Sequence, residues 1–169
     1  MQAVARLLND MVEAGVIADY AVVGAVAQMR YTETVTTLDA DVLVAVPDPA
    51  ALDLLSPVYA FCRDRGYEPE GEAMRVGDWP VQFIPAFSHL TEAAIRDAET
   101  GDIDGAPLRV VRADYLAVIA LSVGRAKDFA RILALRESGA VTDKEVSELA
   151  RRHDLSSAWA TFLERFHAT

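Results

Sequence analysis

Two acidic side chains stand two positions apart where an apolar segment begins. Asp39 and Asp41 lead into a run that continues through Leu43 and Ala45 and ends before Pro47. Alternate residues of a strand face one side, about 7 Å apart at Cα, so both carboxylates are expected on one face. Neighbouring buried anions are costly unless a cation lies between them, and Mg²⁺ binds carboxylates together with phosphate oxygens. The pair therefore predicts a Mg²⁺ site, with an ordinary solvated strand end as the alternative.

A glycine lies at a turn upstream of this pair. The apolar run 20–23 is typical of a buried strand, and residues 25–30 have the composition of a helix, so Gly24 is predicted to connect the two. A glycine at such a turn lets backbone amides and the helix N-terminus approach phosphate oxygens. The alternative is a tight turn with no ligand.

Four short segments resemble known nucleotidyltransferases. Residues 20–28 (YAVVGAVAQ) and 37–44 (TLDADVLV) resemble the minimal nucleotidyltransferase family, and residues 115–121 (YLAVIAL) and 124–128 (GRAKD) resemble the helical region of its AbiEii toxin branch. The resemblance spans most of the chain. It implies an α/β (α+β) fold in which a nucleotidyltransferase-like mixed sheet flanked by helices is followed by a C-terminal helical bundle.

The resemblance also implies roles for individual residues. Asp39 and Asp41 correspond to the metal-binding and catalytic pair, and Gln82 lies where a third catalytic carboxylate is expected. The residues expected to contact a nucleoside triphosphate, such as ATP, are Gly24, Ala25, Thr37, Arg125, Lys127 and Asp128. Lys127 would neutralise triphosphate charge, and Asp128 would orient Lys127 or a neighbouring arginine. The alternative for this last segment is a surface helix with ion pairs between successive turns.

Four positions depart from the family pattern. Ala25 replaces the second glycine or serine of the turn, and Gln82 replaces the third acid. A glutamine amide can accept a hydrogen bond but cannot act as a general base at neutral pH. Ala120 replaces a helical lysine, and Arg131 replaces the acid that often ends the basic motif. These changes indicate weak, altered or absent transferase chemistry.

The elements expected to position these residues alternate in the first part of the chain and are helical in the second. Strands are predicted at 20–23, 39–46, 73–76, 81–84 and 108–111, with an extended segment at 34–37 and a polar connection at 97–105. Helices are predicted at 1–15, 25–30, 50–66, after a cap at Thr91, and near 113–122, 125–138, 142–152 and 155–167. Residues 1–111 are accordingly predicted to form the α/β core and residues 112–169 the helical part packed on it.

Composition limits the possible partners. The chain has 169 residues, of which 52% are hydrophobic, and its formal net charge is −10, which argues against non-specific binding to nucleic acid. The single cysteine, Cys62, and the absence of a long apolar run or leader indicate a cytoplasmic protein without a membrane partner.

Other catalytic patterns are missing. The three histidines, His89, His153 and His167, are far apart and have no cysteine or carboxylate at metal-ligand spacing. The motifs of serine hydrolases, zincins and P-loop proteins do not occur. Cys62 is predicted to be inert core.

Two functional hypotheses follow. The first is a nucleotidyltransferase that binds Mg²⁺ and a nucleoside triphosphate and transfers a nucleotide to an unknown acceptor. The second is a catalytically degenerate module of the same fold that acts as an interaction or toxin–antitoxin component with a protein partner. Gln82 and Ala120 motivate the second hypothesis.

Overall fold

One sheet of seven strands organises the molecule. The computed structural model describes residues 1–33, 36–50, 53–103 and 105–166. The spatial order of the strands is β3-β4-β5-β2-β1-β7-β6. Their bounds are β1 Asp19–Val23, β2 Ala40–Ala45, β3 Glu68–Glu70, β4 Ala73–Val76, β5 Trp79–Pro85, β6 Glu99–Ile103 and β7 Ala106–Val110.

Eight helices accompany these strands in the described ranges. They are α1 Gln2–Glu13, α2 Gly24–Gln28, α3 Ser56–Asp64, α4 His89–Arg96, α5 Ala113–Val123, α6 Ala126–Glu137, α7 Asp143–Arg152 and α8 Ser156–Phe166. The order confirms the predicted class, a mixed α/β sheet followed by consecutive helices. The division into parts 1–111 and 112–169 stays a prediction.

The centre of the sheet places the acidic strand between two neighbours. β2 pairs antiparallel with β1 and parallel with β5, so the sheet is mixed as predicted. In the parallel register Asp41 stands opposite Gln82, and Leu43 stands opposite Ile84. Because side chains alternate along each strand, Asp41 and Gln82 belong to the same face, while their neighbours Val42 and Phe83 are buried on the other. The register thus brings together two polar residues that are 41 positions apart in sequence.

The helices bury apolar faces against the sheet and against one another. α1 repeats apolar residues at helical spacing, and its Val4, Leu8 and Met11 are fully buried. α5 is apolar on most sides because it packs among α4, α6 and α7. Trp159 and Phe162 on α8 are buried and stacked, so both belong to the core.

Several predicted boundaries were wrong. The connection 97–105 contains strand β6, which pairs with β7. Ser88, rather than Thr91, is the N-cap of α4: its hydroxyl accepts from the Thr91 amide, and Thr91 occupies the third helical position. α3 begins at Ser56 instead of position 50. The predicted extended segment 34–37 and the end of the predicted helix 155–167 lie partly outside the described residues.

No helix in the described ranges is long and apolar enough to cross a membrane.

Candidate active site

A cavity of about 750 Å³ opens between the sheet and α6. Its wall includes side chains from β2, β5, α2, α6 and the segment before β2. Most of the residues predicted to form a site line it. The lining residues are Ala25, Gln28, Thr36, Thr37, Asp39, Asp41, Gln82, Ile84, Arg125, Lys127, Ala130, Arg131 and Ala134. Residues from positions 25 to 134 therefore meet in one open space.

The two carboxylates occupy the sheet side of this cavity. Asp39 is exposed just before β2, and Asp41 is half-buried within it. The Thr37 hydroxyl lies 3.1 Å from both the backbone oxygen and Oδ1 of Asp39, so Thr37 helps to fix that side chain. Burial raises the pKa of Asp41 most, and the negative charge of Asp39 raises it further. Holding these two like charges together therefore lowers the stability of the folded protein when both carboxylates are ionised.

This donor set fits a divalent cation held by few protein ligands. Carboxylate oxygens are hard ligands suited to Mg²⁺, and a cation between them would remove the repulsion that raises the pKa of Asp41. Among the described residues no group of three or more acids, histidines or cysteines is arranged to hold a metal. Water and substrate oxygens would have to complete the coordination shell of such an ion.

Gly24 makes room for the Asp41 carboxylate. Its φ is +72°, and a Cβ added there would lie 3.3 Å from Cβ of Asp41 and collide with Oδ2 of the same side chain. Any other residue at position 24 would therefore displace the carboxylate as well as strain the backbone. Local sequence predicts the turn glycine, but this close approach depends on the β1–β2 pairing.

Gln82 lies beside Asp41 at the position where the resemblance implied a third acid. The parallel register pairs the two residues, and both line the cavity. The amide can accept or donate a hydrogen bond there but carries no charge. Ala120, where a helical lysine was expected, is buried in α5 and does not line the cavity.

Three cations lie on the helical side of the cavity. Arg125 precedes α6, and Lys127 and Arg131 lie on its first two turns. Their positive charges oppose the rise in the pKa of Asp41, so they interact electrostatically with that carboxylate. The carboxylates at the start of β2 and the cations at the start of α6 therefore form two oppositely charged walls.

Asp128 supports this helical wall from behind. Its side chain is only 1% exposed and does not line the cavity. Nε of Arg125 donates to it at 2.7 Å, and Nη1 of Arg131 donates at 3.5 Å. Burial works to raise the pKa of Asp128, but the hydrogen bonds and charge of Arg125, together with the charge of Arg131, hold it below its ordinary value. Asp128 was predicted to contact the nucleotide; its contacts fit the orienting role instead.

Sequence reasoning missed Gln28 and treated Arg131 only as a departure. Gln28 is buried at the end of α2, and its Oε1 accepts from Nε of Arg131 at 3.2 Å. This bond ties α2, which follows the glycine turn, to α6 across 103 residues of sequence. A polar glutamine at a buried helix position was the one local signal available.

The remaining candidates lie outside the cavity. Cys62 is fully buried, and burial raises the pKa of its thiol to about 11, which agrees with the prediction that it is inert. His89 is almost fully exposed on α4, and His153 stacks edge-on against Tyr115. His167 lies outside the described residues.

Two glycines with the same backbone conformation allow a matched test of the close approach at Gly24. Gly15→Ala is expected to cost about 1–2 kcal/mol, because φ is +69° there and nothing lies within 4 Å of an added Cβ. Gly24→Ala is expected to cost at least about 1 kcal/mol more, since it adds the collision with Asp41. Urea unfolding of both variants measures the difference. Equal losses would show that the space beside Asp41 is not restrictive.

The raised pKa of Asp41 predicts a pH-dependent effect on stability. Between the pKa of the unfolded chain, about 3.9, and the higher folded value, the folded state binds more protons, so ionisation of Asp41 lowers stability as pH rises. Asp41→Asn is therefore expected to be more stable than the natural protein at pH 7 in metal-free buffer. The advantage should shrink as pH falls through that window.

Urea unfolding at several pH values between 4 and 7 measures this trend. Asp10→Asn, at an exposed position on α1, serves as the control for removal of an acid from a chain of charge −10. An Asp41→Asn variant that is no more stable than Asp10→Asn at pH 7 would contradict the expectation.

Comparison with known proteins supports the fold. No protein-family model matches the sequence, and no curated protein matches it. The nucleotidyltransferase-like protein from Paracoccidioides brasiliensis superposes with a TM-score of 0.59 at 14% identity, covering 94% of this chain and 91% of that one. The antibiotic-resistance factor ANT(2'')-Ia superposes with a TM-score of 0.54 at 15% identity, covering 99% of this chain and 98% of that one. The chain thus has the nucleotidyltransferase-like fold that the sequence predicted.

Proposed function

We propose that the cavity binds a nucleoside triphosphate with Mg²⁺ and that the protein transfers the nucleotide to an acceptor. The acceptor nucleophile forms a bond to the α-phosphorus, the bond from that phosphorus to the bridging oxygen breaks, pyrophosphate leaves, and the proton of the acceptor passes to solvent. One observation carries this proposal. Two carboxylates at the start of β2 face three cations at the start of α6 across one open cavity, on a chain whose net charge is strongly negative. A metal-bound polyphosphate matches both walls, because the ion satisfies the acids and the phosphates satisfy the cations.

Each wall has a defined part in this proposal. Asp39 and Asp41 would hold the ion, and a bound Mg²⁺ supplies charge neutralisation and orientation at the phosphate that undergoes displacement. Thr37 keeps Asp39 in place through its hydroxyl. Lys127, exposed on α6, offsets phosphate charge as a point donor. The chain's own residues thus bind and orient the triphosphate, and positioning of this kind accounts for much of the acceleration in phosphoryl chemistry.

The fold supports the proposed reaction class. The structural neighbours include a protein described as nucleotidyltransferase-like. The GRAKD segment motivates placing the chain near the AbiEii toxin branch, and its bonding of Arg125 to Asp128 is compatible with that placement.

Ligand-induced stabilisation tests the binding step. Mg²⁺ with ATP at 100 times its dissociation constant is expected to add about 2.7 kcal/mol to the free energy of unfolding. Asp41→Asn is expected to lose most of this gain, whereas Asp10→Asn should keep it. Thermal unfolding with and without the ligand, repeated with GTP, CTP and UTP, provides the measurement.

Transfer is tested separately with triphosphates labelled in the α-phosphate. Label should move to an acceptor or to the protein itself only when Mg²⁺ is present. If no triphosphate stabilises the protein, or if the Mg²⁺-dependent part of the stabilisation survives Asp41→Asn, the proposed site is wrong. Binding without any transfer would support the proposed ligand and contradict the proposed reaction.

One observation favours a second candidate function. Gln82 occupies the place beside Asp41, and no third carboxylate joins the pair among the described residues. A nucleotide-binding module without catalysis, acting as an interaction or toxin–antitoxin component, would have this composition. Binding of Mg²⁺ and triphosphate without transfer, together with retention of a protein partner during purification from its source, would support it.

A further inference from the structure

Two arginines share one buried carboxylate behind the cavity. Arg125 donates from Nε and Nη2 to the two oxygens of Asp128, at 2.7 and 3.3 Å. Arg131 also reaches Asp128, from Nη1 at 3.5 Å, and donates from Nε to Gln28 at 3.2 Å. One negative charge therefore anchors two positive ones. We call Arg125, Arg131 and Asp128 the arginine clamp.

The arginine clamp retains unused hydrogen-bond donors. In the described part of the chain, Nη2 of Arg131 and Nη1 of Arg125 have no hydrogen-bond partner, and both residues line the cavity. The side chain of Arg131 is only 15% exposed, and burial lowers its pKa from the ordinary value. A guanidinium withdrawn from water in this way gains more from an anionic ligand than an exposed one does.

The carboxylate pair and the arginine clamp belong to different elements. Asp39 and Asp41 are at β2, whereas the clamp is built on α6 and braced from α2 through Gln28. The hydrogen bonds that hold the clamp involve neither Asp39 nor Asp41. The clamp can therefore bind an anion without the metal that the aspartates would require.

We propose that the arginine clamp is a diphosphate subsite that binds its ligand without a metal ion and without a contact from Asp39 or Asp41. Within the proposed function, on which this inference rests, the subsite receives the β- and γ-phosphates of the triphosphate. The same chemistry fits free pyrophosphate. Two guanidiniums match a ligand with two linked phosphates better than an ion with a single anionic centre, because each phosphate can accept from the free nitrogen of one arginine.

Calorimetric titration with inorganic pyrophosphate in metal-free buffer containing EDTA tests the subsite. The natural protein is expected to bind pyrophosphate and ATP but not adenosine, and to bind sulfate at least about tenfold more weakly. Arg131→Gln is expected to weaken pyrophosphate binding about 10- to 100-fold, the loss typical of a charge-assisted hydrogen bond. Arg30→Gln is the matched control, because Arg30 pairs with Glu99 and does not line the cavity. It should bind as the natural protein does.

Asp41→Asn gives the sharpest prediction. Removal of an anion from the cavity is expected to leave metal-free pyrophosphate binding unchanged or tighter, although the same variant loses binding that depends on Mg²⁺. If Arg131→Gln does not fold by circular dichroism, the more exposed Arg125→Gln takes its place and should weaken binding at least about fivefold.

Three results would overturn the subsite: no pyrophosphate binding in EDTA, equal affinity for sulfate, or loss of binding in Asp41→Asn. Unchanged affinity in the folded arginine variant would do the same. Failure of the proposed function is a different result, in which pyrophosphate binds in EDTA but Mg²⁺ and ATP give neither extra stabilisation nor transfer. Conversely, if ATP binds only in the presence of Mg²⁺, the proposed function is supported and the metal-free diphosphate subsite is contradicted.

Discussion

Gln82→Glu is expected to raise the rate of nucleotide transfer by about 100-fold or more, because general-base assistance contributes about 10²- to 10⁴-fold. Glutamate has the shape of glutamine and would place a carboxylate beside Asp41, in the cavity that both positions already line. The substitution would supply the third acid that the family resemblance implies. Transfer of label from an α-labelled triphosphate, measured under single-turnover conditions, reports the rate.

Two controls separate chemistry from altered packing. Gln82→Met keeps the volume without charge and should not accelerate transfer. In metal-free buffer Gln82→Glu should also be less stable than the natural protein, since a third anion adds to the repulsion already acting on Asp41. Mg²⁺ should restore more stability to this variant than to the natural protein. A glutamate variant with unchanged transfer and no extra response to Mg²⁺ would show that position 82 does not face the reacting groups.

The strands that sequence predicted well are those with apolar or β-branched runs bounded by turn residues. β2 and β5 are of this kind, because burial on the sheet requires the same side chains that local propensity favours. β6 was missed since its residues, ETGDI, are polar and largely exposed. That edge strand exists because its backbone pairs with β7, and pairing partners are not visible in a local window.

The same distinction separates the predicted parts of the candidate site from the missed ones. Asp39, Asp41 and Gly24 belong to short local patterns whose geometry follows from one strand and one turn. The link between Gln28 and Arg131 joins positions 103 residues apart, so no spacing rule could have found it. Asp128 was predicted to contact the nucleotide, but the structure places its side chain behind the cavity wall. The sequence alone does not show whether a side chain lines a cavity or is buried behind its wall.

Asp41 and Asp128 illustrate two ways of keeping a carboxylate away from bulk water. Asp128 has its charge balanced by two arginines within the protein. In the described part of the chain, Asp41 has longer-range compensation from Arg125, Lys127 and Arg131, and it has a like charge nearby. The first arrangement stabilises the fold, whereas the second is costly until a ligand arrives. Replacing the aspartate at position 41 by a neutral residue is therefore expected to stabilise the protein, whereas replacing the aspartate at position 128 is expected to destabilise it.

Asp128→Ala is expected to lower the free energy of unfolding by about 3–5 kcal/mol, which is the usual cost of removing one partner from a buried ion pair. The variant would leave Arg131 partly buried with Gln28 as its one remaining side-chain partner in the described ranges, and it would release Arg125. Glu99→Ala is the matched control, because it breaks an exposed pair with Arg30. That change should cost less than about 1 kcal/mol. Urea unfolding at pH 7 measures both losses.

A second substitution shows whether the loss comes from an unpaired charge. Adding Arg131→Met to Asp128→Ala is expected to recover part of the stability, because no guanidinium is then left without its counter-ion in a low-dielectric setting. If packing of the Asp128 side chain were the cause, the second change would add a further loss instead. Recovery of stability without recovery of pyrophosphate binding would separate the two roles of the arginine clamp, since Asp128 supports the fold whereas Arg131 contacts the ligand.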